Sequence, residues 1–259
     1  MKKLLIILAV AVLLGCVPAS RHAKELQDES MLMAVLWVQT AAEYEALAHQ
    51  AYNWARVRLD EELKEKHHKP VAIIADVDET VINNTLYNAK GILEKQNYPD
   101  DFYDWIAQAR GTEVPGAAAF CQYAASQGCT MFYITNRRER GKEGTVANLQ
   151  KLGFPNADSA HVLMKTTTSS KEPRRQQVMQ EYDVVLLLGD NLVDFIDAGG
   201  ADITERHDII DAYKAEFGDR FIILPNPMHG SWKKVLYDYQ SGLSLEEVKE
   251  KYLNHLQSY

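Results

Sequence analysis

The chain has 259 residues, 28 Lys and Arg against 36 Asp and Glu, a formal net charge of −8 and 46% hydrophobic residues. That acidic surplus excludes a binder of polymeric nucleic acid, which needs a basic surplus to neutralise a phosphate backbone. A small phosphate ester needs only a few local cations and stays allowed.

Lys2 and Lys3 precede an apolar run from Leu4 to Leu14 that is too short to span a bilayer. A basic start, a short apolar stretch and small residues at its end predict a secretory signal peptide over residues 1–15. The run closes on Leu13-Leu14-Gly15-Cys16, which resembles a bacterial lipobox. In that motif the cysteine is lipidated, so Cys16 would become the mature N-terminus, and residues 16–24 would tether the chain to a membrane. The alternative is an ordinary signal peptide cleaved near Ala19, with Cys16 discarded. The other cysteines, Cys121 and Cys129, fit either a disulfide or two buried thiols on a helix and the following strand.

From Glu25 to about Lys66 the spacing predicts a helix whose buried face carries Tyr44, Leu47, Ala51 and Trp54, continued by Leu59 and Leu63. After Pro70 the texture changes. Short apolar runs at Val71–Ala75, Thr130–Ile134, His161–Met164, Val184–Leu188 and Phe221–Leu224 alternate with helical stretches such as Gly116–Gln127, Glu143–Leu152 and Arg174–Glu181. Continuous apolar strands separated by helices predict a parallel sheet covered on both faces. The expected fold is α/β: a Rossmann-like three-layer α/β/α sandwich, one domain over 25–259. Between the first two strands, residues 82–114 carry Asp101-Phe102-Tyr103-Asp104-Trp105, too aromatic for a plain crossover. They predict a small, mainly helical cap. Ser244 and Glu247 form the capping box of a C-terminal amphipathic helix.

The strongest chemical signal is Ile73-Ile74-Ala75-Asp76-Val77-Asp78-Glu79-Thr80, with two carboxylates two residues apart where a buried strand ends. Ligands of parallel sheets bind beyond the carboxyl ends of strands. A second acidic strand end follows Val184–Leu188: Gly189-Asp190-Asn191-Leu192-Val193-Asp194. Clustered carboxylates repel one another and ask for a cation. Oxygen-only ligands beside a phosphate ester point to Mg²⁺. Thr135-Asn136 follows a third strand. Lys171 opens a helix, where its ammonium and the helix N-terminus can face a phosphoryl oxygen, with Lys165 as a competitor for that role.

These motifs carry a family resemblance. Asp76-Val77-Asp78-Glu79-Thr80, Thr135, Lys171 and Gly189-Asp190…Asp194 are similar to the four motifs of the haloacid dehalogenase superfamily. Asp76 to Val81 with Asn84 and Tyr87, and Gly189 to Phe195, resemble the two acidic patterns of the bacterial class C acid phosphatases and their lipoprotein 5′-nucleotidases. The resemblance implies that Asp76 attacks phosphorus and that Asp78 serves as general acid and then base. It implies Mg²⁺ held by Asp76, Asp190 and the Asp78 backbone carbonyl, with Asp194 behind them or acting through water. Thr135 and Lys171 would hold phosphoryl oxygens, and Asn136 would contact substrate. In the nucleotidase relatives, aromatic side chains grip the base or nicotinamide ring. Trp105 matches the cap side of such a site, Tyr87 would also bind substrate, and His229 stands where a Tyr is expected.

The activity so implied is Mg²⁺-dependent hydrolysis of 5′-nucleotides, nicotinamide mononucleotide or other small phosphomonoesters through an aspartyl-phosphate. The chain would be held by its lipid at the bacterial cell envelope, at the outer membrane. Alternatives are a broad phosphatase or phosphotransferase without nucleotide preference, and a non-catalytic haem-binding surface lipoprotein. The sequence leaves a homodimer open.

Overall fold

The computed structural model describes residues 31–94 and 101–259. The signal peptide, Cys16 and the tether lie outside them. A helical stretch over 31–40 leads into α1 (Ala42–Glu62), followed by β1 (Val71–Ala75), β2 (Ile82–Asn83), α2 (Thr85–Glu94), α3 (Phe102–Ala107) and β3 (Thr112–Glu113). The chain continues through α4 (Ala117–Ser126), β4 (Thr130–Arg138), α5 (Lys142–Lys151), β5 (Val162–Lys165), α6 (Glu172–Glu181) and β6 (Asp183–Gly189). It ends with α7 (Leu192–Phe195), α8 (Ile203–Tyr213), β7 (Phe221–Ile223), α9 (Ser231–Val235) and α10 (Leu245–Asn254), the last opened by the expected Ser244–Glu247 capping box.

β1 is the centre of a five-stranded sheet ordered β5-β4-β1-β6-β7, and every pairing in it is parallel. Its side chains alternate between two cores, as a strand's period of two requires. Ile73 and Ala75 join Ala48, Tyr52, Ala55 and Leu59 of α1, Phe120 and Cys121 of α4 and Leu149 of α5. Ala72 and Ile74 face Val178 of α6 and Phe195 of α7 on the other side. With both faces covered, no position in the central strand is left for a polar residue. That is why the apolar runs are continuous.

One sequence expectation needs correction, and one open alternative is decided. Leu47 and Trp54 of α1 are 42% and 49% exposed; the buried face is Tyr44, Ala48, Tyr52, Ala55 and Leu59. Packed helices approach as closely as the contact side chains permit, and Ala48 and Ala55 bring α1 against α4 and the sheet where Leu or Trp would hold it off. Periodicity read from the largest apolar residues therefore rotated the face. Cys121 and Cys129 are free, buried thiols rather than a disulfide. Both pack within the core on the α1 side, where burial pushes the Cys129 thiol up to about 11 and Cys121 further still.

The excursion after β1 is closed at its base by the antiparallel pair β2 and β3. On it, Tyr87, Phe102, Trp105 and Ile106 form a separate apolar cluster. The cap sits hard on α5. A Cβ at Gly144 would come within 2.4 Å of the Ile106 carbonyl oxygen, so only glycine admits this approach.

Candidate active site

The order of the sheet places the ends of β4, β1 and β6 side by side, and the chemistry-bearing residues leave from these ends. The Asp76 amide still donates to the Leu188 carbonyl at 2.9 Å, so β1 stays paired with β6 up to the first carboxylate. The chain then turns back sharply: Ile82 N–H donates to Val77 O at 2.8 Å and Glu79 N–H to Ile82 O at 2.7 Å. Glu79 takes a left-handed φ of 58° at this turn, a strained choice for a residue with a Cβ. Its buried carboxyl accepts the Asn84 backbone and side-chain N–H groups, both at 3.2 Å. Burial and the neighbouring Asp78 push it up to about 8. Tyr52 of α1 braces the same turn through its hydroxyl on Thr80 O at 2.6 Å.

Asp76, Asp190 and Asp194 each bring a carboxylate oxygen within 4.8 Å of the others. Lys171 pairs with Asp76, and with Asp194 Oδ1 at 2.7 Å. The other Asp194 oxygen accepts the backbone amides of Asp190 and Asn191 at 3.2 and 2.9 Å. Asp194 is thus committed to orienting Lys171 and the strand-end turn. Asp190 accepts Thr80 Oγ1 at 3.0 Å and Asn226 Nδ2 at 2.7 Å. Burial pushes the Asp76 carboxyl up to about 7 against the opposing pull of Lys171, and raises Asp190 well above its ordinary range. One ammonium for two buried carboxylates and a half-buried third leaves a charge deficit that a divalent cation would offset. The all-oxygen set of Asp76 and Asp190 fits a hard cation, with Asp194 close behind.

Asp78 is organised differently. Its carboxylate accepts Arg137 Nη2 at 2.7 Å and Nε at 2.9 Å, Asn84 Nδ2 at 2.8 Å and Thr135 Oγ1 at 3.3 Å. Burial alone would raise this carboxyl, but the Arg137 guanidinium, aided by Asn84, holds it below the usual carboxylate range. β4 runs through Arg138, so Thr135 and Asn136 lie within the strand rather than beyond its end. Thr135 is buried against Asp78. Asn136 is exposed, its Oδ1 accepting Arg174 Nη2 at 2.8 Å. Lys165 ends β5, away from the carboxylates, and the lysine that reaches them is Lys171.

The residues expected around a nucleotide ring are well packed. Trp105 is 7% exposed, stands 6.2 Å from Tyr87 between ring centroids and donates its indole N–H to Asn84 Oδ1 at 3.3 Å. Half-buried His229 has Nε2 3.0 Å from Asn88 Oδ1, and burial lowers its imidazole to about 4.

A family model described as HAD superfamily, subfamily IIIB (Acid phosphatase) matches residues 18–232. The chain belongs to this family. It is 39% identical to the class C acid phosphatase of Bacillus anthracis, whose structure it matches over 91% of its own length and 99% of the other, with a TM-score of 0.88. The same enzyme with tungstate bound matches at 38% identity and the same TM-score. Acid phosphatase 1 of Solanum lycopersicum is 27% identical over 166 residues, which are 60% of this chain. The chain spans 57% of that curated relative's length.

Arg137, Asn226 and Glu79 belong to this site, although sequence reasoning assigned them no role. Arg137 directly follows Thr135-Asn136, and an arginine two places past a strand-end hydroxyl was the available signal. Asn226 had none, because its partner Asp190 lies 36 residues away. Gly189 is a tight point of the site. A Cβ there would come within 2.4 Å of Asp194 Cβ and 2.7 Å of its Oδ2. Gly189→Ala is expected to displace Asp194 and loosen Lys171, lowering kcat and destabilising the fold by about 1–3 kcal/mol. Thermal melting with steady-state kinetics checks this, and an unchanged Tm with full activity contradicts it.

Proposed function

We propose that this chain is a Mg²⁺-dependent acid phosphatase that hydrolyses small phosphomonoesters through an aspartyl-phosphate on Asp76. The observation that carries the proposal is the convergence of Asp76, Asp190 and Asp194 within 4.8 Å around the buried ammonium of Lys171. The relative that binds tungstate, a tetrahedral oxyanion, adds support. Asp76 and Asp190, with the backbone carbonyl of Asp78, would hold the metal. When bound it would draw off phosphoryl charge and lessen repulsion between carboxylate and ester.

At a pH low enough for Asp78 to carry a proton against the pull of Arg137, an Asp76 oxygen bonds to phosphorus as the ester P–O bond breaks, and Asp78 gives that proton to the departing alkoxide. Water then attacks the same phosphorus and passes its proton to Asp78. Phosphate leaves, and both aspartates return to their starting state. Lys171 and Thr135 hold phosphoryl oxygens throughout. Burial of Trp105, with its indole N–H on Asn84, supports a catalyst of broad scope with 5′-nucleotides among its esters rather than a nucleotide specialist. The lipid on Cys16 would hold the enzyme at the bacterial cell envelope.

The test is phosphate release from AMP, nicotinamide mononucleotide and 4-nitrophenyl phosphate at acidic and neutral pH. EDTA should abolish release from all three, and Mg²⁺ should restore it. AMP and the aryl ester should differ by less than about fivefold in kcat/KM, because a base–aromatic stack, worth about 1–3 kcal/mol or roughly 5–150-fold, is not made. Full activity in excess EDTA sinks the metal assignment, and a much larger AMP preference restores the nucleotidase.

A further inference from the structure

At the ends of β4 and β5 lies an open cleft of about 720 Å³ lined by Arg138, Glu139, Arg140, Lys165, Thr166 and Thr167. Arg138 and Lys165 stand opposite each other in the strand pairing. The lining sets three cations against one carboxylate, and Glu139 is engaged by a further cation, Lys142, at 3.6 Å. In a chain of net charge −8 this is a local reversal of sign.

The cleft is braced from the cap. Tyr103 of α3 accepts the Arg138 backbone N–H on its hydroxyl at 3.0 Å, and its ring lies 3.7 Å beneath the Arg140 guanidinium. Stacking orients a guanidinium while leaving its N–H fork free for an anion. Two chain segments connect the cleft to the catalytic centre. Along β4, Arg138 is three residues beyond Thr135, about 10 Å at the strand rise of about 3.3 Å per residue. From Lys165 the hydroxyl-rich run Thr166-Thr167-Thr168-Ser169-Ser170 leads to Lys171.

We propose that this cleft is a second anion subsite, holding a second phosphate carried on the alcohol half of the ester. Preferred substrates would then be small bisphosphorylated molecules. The proposal rests on the phosphatase reading of the Asp76 centre and adds the substrate class. Arginine forks and threonine hydroxyls suit phosphate oxygens. No unpaired carboxylate lines the cleft to attack phosphorus, so the phosphate held there is retained and the one at Asp76 is released. A group bound equally in ground and transition state acts on KM rather than kcat.

The test compares fructose 1,6-bisphosphate with fructose 6-phosphate on the full chain. The expected result is at least a tenfold higher kcat/KM for the bisphosphate, carried by KM and eroded by added salt. The triple variant Arg138→Gln, Arg140→Gln, Lys165→Gln should bring the ratio near one and leave 4-nitrophenyl phosphate hydrolysis unchanged. Equal kcat/KM for the two sugars in the wild type, with the aryl ester still hydrolysed, overturns the subsite and leaves the phosphatase standing. A triple variant that keeps the ratio also overturns it. Failure to hydrolyse the aryl ester overturns the phosphatase itself.

Discussion

Asp76→Asn should lower phosphate release from every ester, whatever its leaving group, by a factor on the order of the 10⁶ seen when a hydrolase loses its nucleophile. A carboxamide cannot form the acyl phosphate, and Lys171 would lose one of the two carboxylates it pairs with. The measurement is single-turnover release from an aryl and an alkyl ester. The fold should survive, because Asp194 still holds the ammonium at 2.7 Å and removing a buried carboxylate relieves repulsion with Asp190 and Asp194. Near-normal release by Asp76→Asn would replace the covalent mechanism with direct attack by water.

Arg137→Met should damage both stability and rate. The Arg137 side chain is 2% exposed and clamps Asp78, which is 27% exposed. Removing one member of a buried pair costs about 3–5 kcal/mol, and the partial solvation of Asp78 places the expected loss at the lower end. Asp78 would also lose its orientation, and general acid–base catalysis is worth roughly 10²–10⁴-fold. The fall in kcat should be larger for an alkyl ester, whose leaving group needs the proton, than for nitrophenyl phosphate. Asp78→Asn gives the kinetic comparison: its amide oxygen still accepts from Arg137, but the buried guanidinium loses its counter-charge, so Tm should fall as well and alkyl-ester turnover should drop. Thermal melts and kcat on both ester types check the pair. A drop in Tm without the leaving-group difference would make Arg137 a purely structural residue.

Sequence carried the sheet, because burial on both faces forces continuous apolar strands, and the two acidic strand ends, because a carboxylate straight after such a strand is conspicuous. The partners of those acids were harder to see. Asn226 meets Asp190 only once β7 lies beside β6, and Trp105 meets Asn84 only once the cap has folded back on itself, whereas Asn84 reaches Asp78 across the turn that follows β1. The face of α1 was misjudged for a related reason: the contact depends on what Ala48 and Ala55 allow, and small residues carry little weight in a hydrophobic pattern. Arg137 stands among several charges in Asn136-Arg137-Arg138-Glu139-Arg140, and only strand alternation separates it from its neighbours.

That alternation bears on how this protein can change over generations. Thr135 and Arg137 turn to Asp78, while Asn136 turns to Arg174 and Arg138 borders the basic cleft. Point replacements on the outward row can drift without touching the chemistry. Loss or gain of one codon between Ile134 and Arg138 would exchange the two rows and send an outward residue to Asp78. This stretch should therefore diverge by replacement and never by length.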